Sequence, residues 1–404
     1  MTAEELQQLR RPEVRDFLEK HLDDDPALFA MKYHRLKDFP VRAVAEQIAC
    51  RRKARKKLPE LSKRNLLYTS LALEQASGER AADYKSGLPG MSGKRLLDMS
   101  GGLGIDTIFF AQRFEEVVYC ERDAVLAKVA AHNFRELGIS NVTVIHGDSF
   151  ETLETFPDDS FDLIFIDPAR REKGRRSAAL EAGSPDVVLL HDLLLRKAHR
   201  FCVKASPALE IDGLDAKLPS LFQVIVLSVE RECKEILLFC RRVHDAGKPL
   251  VVKAVSLKGD KENVIVSEAW CQQQKSIAPT PGRYLYEPDP AIIKAHLTAF
   301  AAAQYGLQFI NSRVDYLTSD RKIGDFPGRS FRIITTIFFK PGRFTTFLKE
   351  QGIESASILR RDFPLSPDEI RRRYRLGENK ETFLIFSKDI SGRLLCLLCD
   401  RNVT

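Results

Sequence analysis

The sequence contains no apolar run of the roughly 20 residues that a membrane-spanning helix requires. Its first residues are polar and acidic, and they lack the basic segment followed by an apolar stretch that is typical of a secretory signal. Internal repeats and low-complexity tracts are also absent. These absences exclude membrane-spanning and repeat proteins, and they predict a globular protein of the cytoplasm with no membrane partner.

The cysteine pattern gives little support to a disulfide framework or a zinc site. The eight cysteines are scattered along the chain, unlike those of small disulfide-rich secreted proteins. Cys396 and Cys399 form a CxxC, but it lies in an apolar, strand-like run, and no second CxxC or histidine pair follows. We therefore expect buried free thiols and no bound metal.

The length and charge leave several classes of protein open. A chain of 404 residues has room for two or three domains. Its net charge of +7 permits a nucleic-acid partner without requiring one. Between residues 51 and 64, eight basic residues accompany one acidic residue, Glu60. This basic patch is either a solvated helix face or a surface that contacts phosphates.

Hydrophobic spacing changes character along the chain. Residues 1–85 carry apolar residues three and four positions apart, which predicts helices over 13–22, 42–57 and 71–85. From about Lys94, short apolar runs alternate with helical stretches, a pattern typical of an α/β fold with a parallel sheet. The predicted strands of this sheet are 95–99, 116–120, 142–146, 162–166 and 201–204.

The remaining residues predict a smaller α+β part. Strands are expected near 248–255 and 331–337, and a helix over 291–305. Ser366 precedes proline at the first helical position and Glu369 three residues later, which predicts a capping box.

A glycine-rich turn follows the first predicted strand, in Leu96-Leu-Asp-Met-Ser-Gly-Gly-Leu-Gly-Ile-Asp106. It lacks the third glycine of the dinucleotide-binding fingerprint and the Gly-Lys-Ser/Thr of a P-loop. Asp98 stands at the strand end, where its charge would repel phosphates. The same charge would attract the sulfonium and amino groups of S-adenosylmethionine, which are cationic.

Here the sequence resembles the class I methyltransferases, which have a Rossmann-like sheet. The resemblance implies that the turn binds the methionine part of S-adenosylmethionine and that Glu121, at the end of the second strand, binds the ribose hydroxyls. It further implies that Asp148, followed by Ser149, contacts the adenine. The turn residues that match are Asp98, Ser100, Gly101, Gly102 and Gly104.

The fourth predicted strand ends in Asp167-Pro168-Ala169-Arg170. In amine-modifying methyltransferases an acid and a proline carbonyl at this position accept hydrogen bonds from the acceptor amine, so Asp167 and Pro168 are the predicted catalytic residues. Asp167 either orients the amine in this way or acts as a base. The second proline and the aromatic residue of the base-modifying members are missing. Arg170 and Arg171 begin a basic run, which is either an exposed loop or a contact to substrate phosphate.

The fifth predicted strand contains Cys202 and Lys204. Asp-Pro-x-Arg also resembles the C5-uracil methyltransferases, which use a cysteine nucleophile after this strand. Cys202 is better explained as a buried thiol, because reactive cysteines need a polar, electropositive setting. Lys204 is expected to border the substrate pocket and to bind substrate.

Four further segments resemble one bacterial family of class I methyltransferases with a ferredoxin-like insert and a C-terminal THUMP-like domain. This resemblance implies a helical region at 1–85, a methyltransferase domain at 86–243, a ferredoxin-like region at 244–335 and a THUMP-like domain at 336–404. The segments that carry it are 73–85, Asp167-Pro-Ala-Arg-Arg171, Tyr284-Leu-Tyr-Glu-Pro-Asp-Pro290 and the tail that begins Leu359-Arg-Arg-Asp362.

Because THUMP domains accompany RNA-modifying enzymes, the family resemblance implies an RNA partner, tRNA or rRNA, whose base is methylated. Two alternatives stay open. In the first, the acceptor is a small molecule or a protein. In the second, the chain binds RNA without catalysis and retains only the cofactor fold.

Overall fold

A computed structural model describes residues 1–36, 39–170, 180–242, 249–268 and 273–401. The chain divides into two compact units, Met1–Val224 with Lys234–Lys248 and Ile225–Cys233 with Pro249–Thr404. No helix among the described residues is long and apolar enough to cross a membrane.

The first unit begins with the predicted helical region. Its helices are α1 (Ala3–Leu9), α2 (Pro12–Lys20), α3 (Pro26–Tyr33), α4 (Val41–Lys57), α5 (Ser70–Gln75) and α6 (Glu79–Ser86). The single helix predicted over 71–85 is wrong. The chain is extended at Ala76 and again at Gly78, which precedes α6. This break frees the side chain of Ser77, whose hydroxyl donates to Asp106 at 2.8 Å.

A Rossmann-like sheet follows. Its elements are β1 (Gly93–Asp98), α7 (Ile105–Phe110), β2 (Phe114–Glu121), α8 (Ala124–Glu136), β3 (Val142–His146), α9 (Ser149–Thr155), β4 (Phe161–Ile166), β5 (Ala169–Arg170), β6 (Gly183–Ser184), α10 (Val187–Lys197), β7 (Ala198–Ala205), α11 (Leu214–Lys217), β8 (Leu221–Val229) and β9 (Glu232–Arg241). Strands β3, β2, β1, β4 and β7 lie side by side in that order and are parallel. β9 pairs antiparallel with β7.

The central strands are apolar on both faces. The last four residues of β4 are buried without interruption, as are Val117 to Cys120 in β2. A parallel sheet covered on both faces by helices requires such continuous runs, whereas a half-exposed strand alternates. All five predicted strands are confirmed.

The N-terminal helices share a core with α8. Side chains from α1, α2 and α4 pack with Val129, Ala130 and Phe134 of α8. Asn133 of α8 exchanges two hydrogen bonds of 2.9 Å with the backbone of Leu67. A buried amide that satisfies a backbone donor and acceptor in this way fixes the segment against the sheet.

The second unit contains the α+β part. Its further elements are β10 (Val251–Lys258), β11 (Lys261–Glu268), β12 (Tyr284–Pro288), α12 (Pro290–Lys294), α13 (Thr298–Tyr305), β13 (Gln308–Phe309), β14 (Leu317–Ser319), β15 (Gly328–Phe338), α14 (Pro341–Glu350), β16 (Ser357–Arg360), α15 (Pro367–Tyr374), β17 (Thr382–Lys388) and β18 (Leu394–Asp400). Seven of its strands form a sheet in the order β13-β14-β12-β15-β18-β17-β16. The predicted fold class, a Rossmann-like α/β sheet followed by an α+β part, is confirmed.

Local predictions in this unit have mixed outcomes. The capping box of α15 is present, with Ser366 and Glu369 each bonded to the other's backbone. The single helix predicted over 291–305 is wrong, because His296 adopts a left-handed conformation with φ of 58° between α12 and α13. Cys396 and Cys399 are free, buried thiols of β18.

Candidate active site

Three of the predicted acidic residues lie along one edge of the parallel sheet. Asp98 is the last residue of β1, Glu121 is the last residue of β2, and Asp167 directly follows β4. Since these strands are parallel and adjacent in the sheet, their carboxyl ends share one edge. Open α/β sheets bind their ligands at this edge.

Asp98 is buried at the start of the glycine-rich turn, with 2% of its surface exposed. Its carboxylate accepts the Thr107 hydroxyl at 2.5 Å and the Ser100 amide at 3.0 Å. Burial raises the pKa of Asp98 to about 7, although these two hydrogen bonds oppose the shift. A cationic group placed beside this carboxyl would favour its ionised form.

The turn is held against Tyr119 of β2. A Cβ at Gly101 would lie 2.2 Å from the Tyr119 ring, so only glycine allows this contact. The Tyr119 hydroxyl donates to the carbonyl of Gly102 at 2.5 Å. Gly102 and Gly104 have φ of 56° and 78°, a left-handed conformation that side chains disfavour. The glycines therefore give the turn its shape.

Glu121 is joined directly to this turn. Its Oε2 accepts the amide of Gly102 at 2.8 Å, and its Oε1 accepts the amide of Asp123 at 2.7 Å. An ionised carboxylate has about four acceptor positions, so each oxygen retains capacity for another donor.

Asp148 and Ser149 follow the neighbouring strand β3. The Oδ1 of Asp148 accepts the amides of Phe150 and Glu151 and so caps α9, of which Ser149 is the first residue. The Gly147 amide donates to the Glu121 carbonyl at 3.1 Å, which ties this loop to the end of β2. Asp148 caps α9 and is exposed to solvent.

Asp167 and Lys204 form an ion pair, with 2.5 Å between Oδ2 and Nζ. The Asp167 side chain is 38% exposed and that of Lys204 is 10% exposed, so the carboxylate faces outward from the ammonium. The Asp167 amide also donates to the Ser100 hydroxyl. The Pro168 ring packs against Gly183, where a Cβ would approach it to 2.8 Å. Asp167 and Pro168, which are predicted to hold the acceptor amine, are thus fixed beside the glycine-rich turn.

The predicted phosphate contacts after Pro168 are only partly described. The backbone of Arg170 pairs with Gly183 in the short sheet of β5 and β6. Arg171 and the basic residues that follow it up to residue 176 lie outside the described residues. A role for Arg170 and Arg171 in substrate binding therefore stays a prediction.

The basic patch at 51–64 is largely engaged within the first unit. The contacts are Arg51 with Glu19, Arg55 with Asp23, Lys63 with Glu60, and Lys57 with the carbonyls of Leu73 and Glu74. Burial lowers the pKa of Lys57 to about 8. These contacts favour the interpretation of the patch as a paired helix face over a surface that contacts phosphates.

Behind Lys204 lies an ionic network that the sequence analysis did not identify. Lys85 of α6, whose side chain is fully buried, pairs with Glu235 of β9 at 2.7 Å and with Asp106 of α7 at 3.0 Å. Asp106 also pairs with Lys204 at 3.3 Å. Ser77 accepts from both ammonium groups at 3.0 Å and donates to Asp106. The one available sign in the sequence was Asp106 itself, an acid inside the apolar run of α7.

The network contains three carboxyl groups and two amino groups, and its open end is Asp167. Lys85 and Lys204 lie among the buried Asp106 and Glu235, and Asp167 is the fifth member. Burial opposes ionisation of Asp106, yet Lys85 and Lys204 outweigh it and lower the pKa of Asp106 to about 2. Burial likewise opposes the charge on Lys204, but Asp167 and Asp106 raise its pKa above the usual value. Lys204 is therefore charged, and it holds the Asp167 carboxylate at the open end of the network.

Cys202 is fully buried in β7. Burial raises the pKa of this thiol well above its ordinary value. A buried, protonated thiol is a poor nucleophile, which argues against the C5-uracil mechanism. Within the described ranges, no group of three or more histidine, cysteine or acidic side chains is arranged to hold a metal ion.

Two family models match parts of this chain. Residues 93–170, which span the turn and the Asp167 loop, match the model described as RNA cap guanine-N2 methyltransferase. Residues 328–401 match the model described as THUMP domain-like.

Two relatives match most of the chain. An uncharacterized S-adenosylmethionine-dependent methyltransferase of Mycobacterium tuberculosis is 24% identical over 87% of this chain and 94% of its own. A crystal structure of a Porphyromonas gingivalis protein assigned as a methyltransferase superposes with a TM-score of 0.84 at 28% identity, covering 99% of this chain and 98% of that one. The protein is an S-adenosylmethionine-dependent methyltransferase. Within that class it combines a Rossmann-like sheet with a C-terminal THUMP-like domain.

The residues at the sheet edge fit this cofactor. The buried Asp98 carboxyl, with its raised pKa, suits a cationic neighbour. The carboxylate of Glu121 retains acceptor capacity for hydroxyl groups, and charge-assisted hydrogen bonds of this kind are the strong ones. The turn between them places backbone, without side chains, at Gly101 and Gly102.

Proposed function

We propose that this enzyme methylates an exocyclic amine of a base in a structured RNA, tRNA or rRNA. The observation that carries the proposal is the Asp167–Lys204 pair beside the cofactor turn, and Asp167 lies within the segment 93–170 that matches a guanine-N2 methyltransferase model. That model describes enzymes whose acceptor is an exocyclic amine in RNA. The THUMP-like match at 328–401 supports RNA as the partner, and an RNA partner is consistent with a cytoplasmic enzyme.

In this proposal, each of the residues at the strand ends binds a different part of the cofactor. Asp98 binds the cationic methionine end, with Ser100, Gly101, Gly102 and Gly104 shaping the turn. Glu121 accepts the ribose hydroxyls, and Asp148 and Ser149 border the adenine. S-adenosylmethionine, when bound, supplies a methyl carbon attached to a positively charged sulfur.

The acceptor amine is held by Asp167 and Pro168. The outward-facing Asp167 carboxylate accepts one N–H and the Pro168 carbonyl accepts the other, which orients the nitrogen lone pair towards the methyl carbon. When the methyl group passes from the sulfur to the nitrogen, an N–C bond replaces the S–C bond and positive charge develops on the nitrogen. The Asp167 carboxylate would stabilise this charge and would accept the proton that the nitrogen then loses. Lys204 is buried against Asp167 and Asp106, so we assign it to positioning Asp167. Arg170 and Arg171 remain candidates for phosphate contact.

Cofactor affinity is expected to increase with pH between 6 and 7. If the free Asp98 carboxyl has a pKa of about 7 and binds the cofactor as a carboxylate, binding releases about 0.9 proton at pH 6. Affinity should then be roughly fivefold weaker at pH 6 than at pH 7. Calorimetry in buffers of different ionisation enthalpy measures both quantities.

Asp98→Asn is the control for this prediction. It removes the titrating carboxyl while the cofactor keeps its own amino group, whose pKa of about 7.7–8.0 lies above the chosen range. The variant should bind more weakly and with the same affinity at both pH values. Equal proton release by wild type and variant would refute the assignment of Asp98.

The proposed function is tested by transfer of tritium from methyl-labelled S-adenosylmethionine to total RNA from a host strain that lacks this gene. We expect label in the tRNA or the rRNA fraction with wild type and none with Asp167→Asn. Glu115→Gln is a matched control, because it neutralises an exposed carboxylate at the opposite end of β2. It should transfer label at the wild-type rate.

The fractionation also separates the alternatives. If RNA stays unlabelled while the protein or small-molecule fraction of the same strain's extract takes up label, that fraction would replace RNA as the source of the acceptor. Cofactor binding without label in any fraction would indicate an RNA-binding protein that has lost catalysis. Either outcome would overturn the proposal.

A further inference from the structure

Three arginines of the second unit converge on one carboxylate, Glu287 of β12. Its Oε2 pairs with Arg231 at 3.0 Å and with Arg329 of β15 at 2.5 Å. Its Oε1 pairs with Arg361, which follows β16, at 3.4 Å. Glu287 is 9% exposed, and it is the central acid of the Tyr284–Pro290 motif, to which the proposed reaction assigns no role.

The cluster carries more positive charge than it neutralises. Among the described residues, Glu287 is the only carboxylate paired with these three guanidinium groups. Asp289 acts on Arg231 as a second negative charge, but its Oδ1 accepts from Ser228 and from the amide of Ala291, and its buried Oδ2 has no hydrogen-bond partner among the described residues. Arg401 adds a further positive charge to the surroundings of Arg231. Partly buried charges are costly unless they are paired, so we expect an anion to bind where positive charge is in surplus.

Unused hydrogen-bond donors accompany the surplus charge. The Nη1 of Arg231 and the Nε of Arg361 are buried and have no hydrogen-bond partner in the part of the chain that the structure describes. Burial also lowers the pKa of Arg231. A buried donor without an acceptor is destabilising, and an anion oxygen admitted to the cluster would satisfy it.

The guanidinium groups are held in place before any ligand binds. Arg361 lies 5.3 Å from the centre of the Tyr316 ring, and Arg329 lies 5.5 Å from that of Phe331. The three arginine side chains are between 19% and 30% exposed, so the cluster is accessible from solvent. Preorganised donors lose little entropy when a ligand binds.

We propose that Arg231, Arg329 and Arg361 form a binding site for a phosphate group. Guanidinium forks match the oxygens of phosphate, and Glu287 fixes the forks around the site. Building on the proposed function, we assign the phosphate to the backbone of the RNA substrate. The same chemistry would accept free phosphate, and the experiment below separates the two sources.

Inorganic phosphate is the first probe, and its effect on the melting temperature of the full chain is the readout. At ten times its dissociation constant, phosphate should raise the melting temperature of wild type by about 2–4 °C over chloride at equal ionic strength. Arg361→Gln should weaken phosphate binding about tenfold, the loss expected for one charge-assisted hydrogen bond. This arm uses neither RNA nor methyl transfer, so it does not depend on the proposed function.

Arg332→Gln is the matched control. Arg332 lies on the same strand as Arg329 but is paired one to one with Asp400, so it contributes no surplus charge. The variant Glu287→Gln tests whether the cluster has a merely structural role. It lacks the one carboxylate that, among the described residues, pairs with the three arginines. Phosphate should therefore stabilise this variant more than it stabilises wild type. Equal phosphate effects in wild type, Arg361→Gln and Glu287→Gln would overturn the proposal.

Binding of the labelled RNA fraction then identifies the source of the phosphate. If the site binds the RNA backbone, Arg361→Gln should reduce the slope of log affinity against log salt by about one, and Arg332→Gln should leave it unchanged. An unchanged slope in Arg361→Gln, with phosphate binding lost, would overturn the RNA assignment and leave a site for free phosphate.

Discussion

Replacing Asp167 by asparagine is expected to lower the rate of methyl transfer by about 100- to 1,000-fold, the usual effect of removing a group aimed at developing charge. Asparagine keeps the size of the side chain but removes the carboxylate that pairs with Lys204 and faces outward from it. The acceptor nitrogen would then develop its positive charge without a carboxylate beside it. Single-turnover transfer from labelled cofactor measures this step directly.

Cofactor affinity distinguishes this loss from general damage to the fold. The hydrogen bond that joins Asp167 to the turn is donated by its backbone amide to Ser100, so it is retained in the variant. We therefore expect calorimetry to give Asp167→Asn the cofactor affinity of wild type. A variant that binds the cofactor and still transfers methyl groups at the normal rate would remove Asp167 from the reaction.

Much of this site could be predicted from the sequence because its residues are tied to strand ends. Asp98, Glu121 and Asp167 each end or directly follow an apolar run, and parallel strands bring such positions to one edge. Local pattern and one rule of topology place these residues at the edge, and the resemblance to class I methyltransferases implies their roles there. Asp148 shows the limit of this reasoning, since its capping of α9 is equally local and equally well explained without a ligand.

The ionic network could not be predicted in the same way. Lys85 and Glu235 are separated by 150 positions, and nothing in the local pattern of either residue names the other. The break between α5 and α6, which releases Ser77 towards Asp106, was read as continuous helix. Helical periodicity of apolar residues continues across the break, although Gly78, the residue that precedes α6, disfavours a helix interior.

Lys85 is the position where we expect one substitution to cost the most stability, because its buried ammonium group pairs with two carboxylates. Lys85→Met leaves Asp106 and Glu235 buried with Lys204 as their remaining cation, and breaking a buried pair in this way costs about 3–5 kcal/mol. Burial already raises the pKa of Glu235 against the opposing charges of Lys85 and Lys204. The free energy of unfolding from urea titration measures the loss, and hydrogen exchange of the amides in β1 and β7 reports on the first unit alone.

The double variant Lys85→Met with Glu235→Leu separates charge balance from packing. It removes one cation and one anion, so Asp106 and Lys204 remain as a balanced pair and Lys204 still holds Asp167. Buried ion pairs replaced by apolar residues of similar volume are often neutral in stability. The double variant should therefore be more stable than Lys85→Met and should retain methyl transfer.

If the double variant is less stable than the single variant, the role of Lys85 is packing of α6 and not compensation of charge. If it is stable but inactive, Lys85 and Glu235 act on Asp167 through Lys204, and the helical N-terminal region belongs to the catalytic machinery.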